Sequence, residues 1–280
     1  MVLYKLKSNS KINAHLSITG KTQSKLHKIE SIIFFSELSD IIHIKKIKSK
    51  KHKINFFGKF AKGIGNNNTI FNLLTILDKK KLLNNQKFQI QIKKNIPQKS
   101  GMGGGSMNAA SLLKFFINKN YFKMSNNDII KICSSVGSDV IIGLDNKAKI
   151  LNSSGNITII NSKFRSFLVI IKPNFGCSTS KIYSNVKKIP KKRIKLSKKI
   201  NFHKLSKLHN DLEKVAFKKY PKLRVLKKAV EDLHNIEFAR MTGSGSTIIG
   251  YFSSKKDAIN GTKILRKKFK NYWCIFSKTI

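Results

Sequence analysis

Acidic residues are the scarcest class in this 280-residue chain: Asp and Glu number 13 against 57 Lys and Arg, a formal net charge of +44. Arginine is also rare, confined to Arg165, Arg193, Arg224, Arg240 and Arg266. The basic residues are therefore nearly all lysine, spread along the chain, and none of the recognised nucleic-acid-binding motifs accompanies them. Lysine, isoleucine and asparagine are abundant together, the joint excess that an A+T-rich coding sequence produces, and it leaves solvated lysine faces without a dedicated partner. The densest cluster, Lys187 to Lys199 around Pro190, is the best place for any real anion patch.

Other absences narrow the class further. The three cysteines, Cys133, Cys177 and Cys274, are widely spaced with no CxxC pair, which excludes a disulfide framework or a zinc site and predicts free thiols. No segment reaches the apolar length that spans a bilayer, and residues 1–10 lack the apolar centre of a signal peptide, so a cytoplasmic protein is expected. What remains is 40% hydrophobic content, enough for a sizeable core and more comfortable as two domains than as one.

The densest information is the stretch Pro97-Gln98-Lys99-Ser100-Gly101-Met102-Gly103-Gly104-Gly105-Ser106-Met107. Phe88, Ile90 and Ile92 alternate with polar residues before it, the period-2 mark of a half-buried strand. Met107, Ala110, Leu113, Phe116 and Ile117 follow at helical spacing. A glycine-packed turn opening a helix near Ser106 aims unpaired N–H groups and the positive helix end into the loop, a geometry suited to a phosphate. It fits neither a Walker A loop, which needs Gly-Lys-Ser/Thr, nor Gly-x-Gly-x-x-Gly, because Ser106 occupies the last glycine position. Four glycines in five residues exceed what a surface turn requires.

Two weaker signals flank this loop. From Ile12 to Ile18 even positions are apolar and odd ones polar, so Lys11, Asn13 and His15 share one strand face, about 6.5–7 Å apart in succession. By alternation alone that face is expected to be solvent-exposed. Phe34-Phe35 and Ile41 to Ile44 suggest further strands beside it. Ser125 to Asp128 has the form of a helix capping box and Gly137 of a stop. Asp139 follows that stop, where it is equally well read as a second helix cap or as a buried carboxylate among cationic charge.

Beyond residue 160 the pattern predicts helices over 210–220 and 222–233 broken at Pro221, strands over 238–241 and 247–252 flanking Gly243-Ser244-Gly245-Ser246, a helix over 257–269 and a strand over 272–276. The order of elements predicts two α+β domains, 1–158 and 159–280.

Taken together, Ser10-Lys11-Ile12-Asn13, the Pro97 to Ala110 segment, Gly137-Ser138-Asp139-Val140 and Met241-Thr242-Gly243-Ser244-Gly245 resemble, in order, the motifs of the GHMP small-molecule kinases. The resemblance covers nearly the whole chain. It implies an N-terminal ribosomal-protein-S5-like domain and a C-terminal ferredoxin-like domain, with ATP and Mg2+ as cofactors. Residues Pro97 to Met107 would hold the ATP phosphates, Asp139 would accept a hydroxyl proton, and Lys11 would position the carboxylate and the developing alkoxide. No magnesium ligand is assigned. The acceptor implied is a cytidine diphosphate-linked methylerythritol, with Asn13 and Thr179 on the polyol and His27 and Tyr183 at the cytosine. The family's usual Asp-Gly-Tyr-His reads here Ser24-Lys25-Leu26-His27, so an aromatic is replaced by Leu26. Homoserine, mevalonate or a sugar as acceptor is the alternative within the family. A basic nucleic-acid-binding protein is the alternative outside it.

Overall fold

The computed structural model describes residues 2–22, 27–160, 164–187 and 196–280. In chain order the elements are β1 (Leu3–Lys21), β2 (His27–Ile47), β3 (Lys53–Phe57), α1 (Thr69–Lys79), β4 (Lys87–Lys93), α2 (Gly104–Asn118), α3 (Asn126–Val136), a 3-10 turn (Ile141–Leu144), β5 (Lys149–Leu151) and β6 (Ile157–Ile159). There follow β7 (Phe167–Lys172), α4 (Thr179–Ser184), α5 (Phe202–Ser206), α6 (Leu212–Lys219), α7 (Lys222–Glu231), β8 (Phe238–Met241), β9 (Ile248–Phe252), α8 (Lys255–Lys268) and β10 (Trp273–Lys278). They group into two compact units, each discontinuous in sequence: one of 1–11, 38–98 and 103–146, the other of 12–37, 99–102 and 147–280.

In the first unit the distal half of β2 pairs antiparallel with β4, Ile42 opposite Ile92, and β3 runs parallel to β4. The alternation read in Phe88, Ile90 and Ile92 is that of β4, and all three are buried with Ile42 and Ile44. Helices α1 and α2 supply Leu73, Leu77, Leu112 and Phe116 to the same core, with the Phe88 and Phe116 rings 5.0 Å apart, edge to face. Helix starts are chemically marked. Asn68 caps α1 by accepting from the Ile70 and Phe71 N–H groups, and Ser125 caps α3 by accepting from Asp128 N–H at 3.1 Å.

In the second unit β7, β8, β9 and β10 form an antiparallel sheet in the order β10-β7-β9-β8. With α6 and α7 between β7 and β8 and α8 between β9 and β10, this is the βαββαβ order of ferredoxin-like folds. Leu212, Leu223, Leu226, Val230 and Leu265 bury the helical faces against Val169, Ile171 and Ile248. The proximal part of β2 pairs with β5, and β5 with β6. The helix break falls at Pro221, as the sequence predicts.

Two expectations are corrected. The segments at Phe34-Phe35 and Ile41 to Ile44 are one 21-residue strand rather than several. The polar face of β1 is not solvent-exposed: Lys11 is 6%, Asn13 2% and His15 0% exposed. Alternation marks two faces but not which of them is covered, and here both are.

His15 illustrates the consequence. Its Nδ1–H donates to the His209 carbonyl at 2.7 Å, while Nε2 is buried with no hydrogen-bond partner among the described residues. Burial, with smaller contributions from His209 and Arg240, lowers its pKa from 6.5 to about 4 against the raising effect of the carbonyl. The folded pKa lies below the unfolded one, so the unfolded chain binds the extra proton between them. Stability is therefore fully present above pH 6.5 and is lost as pH falls toward 4. Unfolding free energy from this one group is expected to be about 2 kcal/mol lower at pH 5 than at pH 7. Urea melts at the two pH values check this, and His15→Phe should shrink the difference by that amount.

Candidate functional site

The glycine loop is shared between the units, Pro97, Gln98 and Gly103 to Met107 in the first and Lys99 to Met102 in the second. In the first unit Gly103 is the N-cap of α2 at φ 67°, ψ 17°, with no side-chain cap on the helix. The first helical bond runs from Met107 N–H to the Gly103 carbonyl at 2.9 Å, and Gly103, lacking a side chain, places no cap of its own on the N–H groups of the opening turn. A Cβ on Gly103 would lie 2.8 Å from Lys11 Cγ, which shows how closely the Lys11 stem runs along the loop backbone. Thr69 Oγ1 donates to the Gly105 carbonyl at 2.7 Å and ties the start of α1 to that turn. Gln98 Nε2 donates to the carbonyls of Phe60 and Lys62, both at 2.9 Å.

Lys11 Nζ stands 3.2 Å from Asp139 Oδ2. The lysine side chain is 7% exposed and the carboxylate 32%, so the cation is enclosed while the carboxylate remains reachable from solvent. Asp139 sits between the Gly137 stop of α3 and the 3-10 turn. Of its two readings, helix cap or buried carboxylate among cationic charge, the geometry shows the cationic partner of the second but not its burial. Ser106 Oγ lies 3.7 Å from the Cβ position of Gly137, which brings the first turn of α2 beside this segment.

The second unit organises the remaining residues around the β8–β9 connection. Asn13 N–H donates to Thr242 Oγ1 at 3.0 Å, and its Nδ2 donates to Ser31 Oγ at 2.8 Å. Thr242 Oγ1 donates to the Gly101 carbonyl at 3.3 Å. Gly101 has φ 77°, and a Cβ there would fall 2.1 Å from the Thr242 carbonyl oxygen. Thr179 Oγ1 and Ser244 Oγ are 2.9 Å apart. Asn13 and Thr179 thus meet the same turn, which is more than a hairpin connection. Asn210 braces it from behind, donating to the Met241 carbonyl at 2.7 Å and the Gly243 carbonyl at 2.8 Å. Glu213 accepts from Met241 N–H at 2.7 Å. His27 and Tyr183 pair their rings at 5.3 Å and 38°. Burial and nearby Lys21 hold the His27 pKa below its ordinary value, which favours the neutral ring. Leu26 and residues 188–195 of the lysine cluster lie outside the described residues.

Motif reading gives no role to Ser31, Thr242, Ser244 or Asn210, although the Met241 to Gly245 segment contains two of them. It passed over Asp40 entirely. The available signal was an acidic residue, in a chain with few, set in the apolar strand before Ile41-Ile42.

Comparison with known proteins accords with this geometry. The model for the GHMP kinases N terminal domain matches residues 68–151, and that for the GHMP kinases C terminal domain matches 191–271. The 4-diphosphocytidyl-2-C-methyl-D-erythritol kinase of Pelagibacter ubique is 51% identical over 279 residues, 99% of both chains. The kinase of that name from Clostridioides difficile is 29% identical, covering 99% of this chain and 96% of its own. A crystal structure of 4-(cytidine 5'-diphospho)-2C-methyl-D-erythritol kinase superposes with a TM-score of 0.80 at 20% identity, over 99% of this chain and all of that one. Homoserine kinase from Cytophaga hutchinsonii shares the fold at a TM-score of 0.65 and 14% identity, covering 100% of this chain and 97% of its own. Two domain models in the expected order and a half-identical relative of the same length place the chain in one family: it belongs to the GHMP kinases.

Proposed function

We propose that this kinase transfers the γ-phosphoryl group of ATP to the 2-hydroxyl of 4-diphosphocytidyl-2-C-methyl-D-erythritol, a step of non-mevalonate isoprenoid biosynthesis carried out in the cytoplasm. The observation that carries the reading is the Lys11–Asp139 pair at 3.2 Å, with the lysine stem against the Gly103 backbone. Full-length identity of 51% to a relative named for that acceptor supports the choice of substrate. We divide the roles at residue 158, with the ATP loop on the N-terminal side, and the two family matches fall on either side of that boundary.

The chemistry follows from these groups. The acceptor oxygen forms a bond to the γ-phosphorus as the bridging bond to the β-phosphate breaks, and the hydroxyl proton passes to Asp139. Lys11 holds the carboxylate in place and offsets negative charge growing on the acceptor oxygen. Backbone N–H groups of the Pro97 to Met107 loop face the charge that spreads over the phosphoryl oxygens, and being fixed in advance they reorganise little. Mg2+ accompanies the nucleotide. Ser106 Oγ, in the first turn of α2, would offer an oxygen to an ion that arrives with the triphosphate, since Mg2+ fills most of its shell with phosphates and water. When bound, the ion neutralises phosphate charge.

Asn13 and Thr179 hold the polyol, and the His27–Tyr183 ring pair holds the cytosine. Aromatic stacking on a base is worth about 1–3 kcal/mol, so Tyr183→Ala is expected to raise the acceptor KM by about five- to 150-fold with the ATP KM unchanged. Steady-state kinetics in each substrate check this, and an unchanged acceptor KM takes Tyr183 out of the contact. The function itself is tested by ADP release from ATP and Mg2+ with the cytidyl acceptor, homoserine, mevalonate and a sugar offered in turn. Turnover of the first alone is expected.

A further inference from the structure

Asp40 lies on β2, 0% exposed, and all of its acceptor capacity is used. Oδ1 accepts from the Asn95 N–H at 2.8 Å and the Ile96 N–H at 2.9 Å. Oδ2 accepts from Lys94 Nζ and, at 3.0 Å, from Asn108 Nδ2. Lys94 is 4% and Asn108 1% exposed, so the cluster is sealed from water.

These four donors come from two places. Lys94, Asn95 and Ile96 lie on the stretch that enters the glycine loop immediately before Pro97. Asn108 lies on α2, directly after Met107, the last residue of the loop. Lys94 also reaches the exit side directly, its Nζ lying 3.3 Å from the Cβ position of Gly104. One carboxylate therefore ties both ends of a loop that glycine leaves conformationally free. Glycine allows the backbone to approach a phosphate, yet it does nothing to hold the N–H groups in the bound arrangement. That restraint has to come from outside the loop.

We propose that Asp40 is the positioning residue of this loop: it fixes the separation of entry and exit, and so presets the N–H groups for a triphosphate. The inference rests on reading residues 97–107 as the ATP site.

The test uses the full chain as wild type, as Asp40→Asn, and as the pair Asp40→Asn with Lys94→Met, which removes the ammonium that the first change strands. Kinetics in each substrate are combined with amide hydrogen exchange of the peptide spanning 97–107, with and without ATP. Asp40→Asn should raise the ATP KM at least tenfold with the acceptor KM unchanged, and the loop peptide should exchange faster without ATP. The paired variant should recover the wild-type unfolding midpoint while its ATP KM stays raised, a separation that a purely structural ion pair does not produce. A wild-type ATP KM in either folded variant, with ATP still protecting the loop in the wild-type chain, overturns the positioning role. Failure of ATP to protect the loop in the wild-type chain overturns the loop reading itself, and the inference with it.

Discussion

Asp139→Asn is expected to lower kcat by about 10²–10⁴-fold, the range that general-base catalysis contributes. The substitution keeps the shape of the side chain and a hydrogen-bond acceptor, but an amide cannot take the hydroxyl proton. The carboxylate is 32% exposed and stands 3.2 Å from a lysine that is itself enclosed, so the change falls on a reachable group rather than on the core. ATP affinity should stay within about twofold, because the loop N–H groups and α2 are untouched and only an interaction of the transition state is removed. Rapid-quench measurement of single-turnover phosphoryl transfer separates this from slow product release. A variant with the wild-type single-turnover rate would remove Asp139 from the chemistry.

Gly101→Ala is expected to reduce kcat/KM by about 10²-fold, the loss that a misplacement of about 1 Å near reacting groups produces. Two independent effects combine at this residue. Its φ of 77° disfavours any side chain, and a methyl group would fall 2.1 Å from the Thr242 carbonyl oxygen. Backbone cannot swing aside as a lysine stem can, so either Ser100–Met102 or Thr242–Gly243 must move. The Thr242 hydroxyl that receives the Asn13 N–H is in the same contact. Gly155→Ala supplies the control, since it has φ 87° and its Cβ position has nothing within 4 Å among the described residues. It should show the strain of the backbone conformation, about 1–3 kcal/mol in unfolding experiments, without loss of activity. Equal kcat/KM losses in the two variants would contradict the close-approach argument.

How much of this was legible in the sequence depended on how local each feature is. The strand into the glycine loop and the helix out of it were readable because Phe88, Ile90 and Ile92, then Met107, Ala110 and Leu113, carry their periods within a few residues. The Ser125–Asp128 cap and the break at Pro221 were readable for the same reason. The buried polar face of β1 was not, because what covers Lys11, Asn13 and His15 comes from distant parts of the chain: Asp139 for Lys11, Thr242 for Asn13, His209 for His15. Asp40 was missed on the same ground, its donors lying 54 or more residues away. The order of the motifs supplied Lys11 and Asp139 as a pair, where alternation and capping rules alone left both undecided. The bracing of the Gly243-Ser244-Gly245 turn by Asn210 and Glu213 carries no local periodic signal at all.

The central claim concerns one oxygen atom of one acceptor, and phosphorus NMR of the reaction product addresses it directly. With ATP, Mg2+ and 4-diphosphocytidyl-2-C-methyl-D-erythritol, the account predicts one new phosphomonoester, on the 2-hydroxyl, formed in equal amount to ADP and about 10²–10⁴-fold more slowly with Asp139→Asn. A phosphomonoester on another hydroxyl, or no product from this acceptor while homoserine, mevalonate or a sugar is phosphorylated, would contradict it.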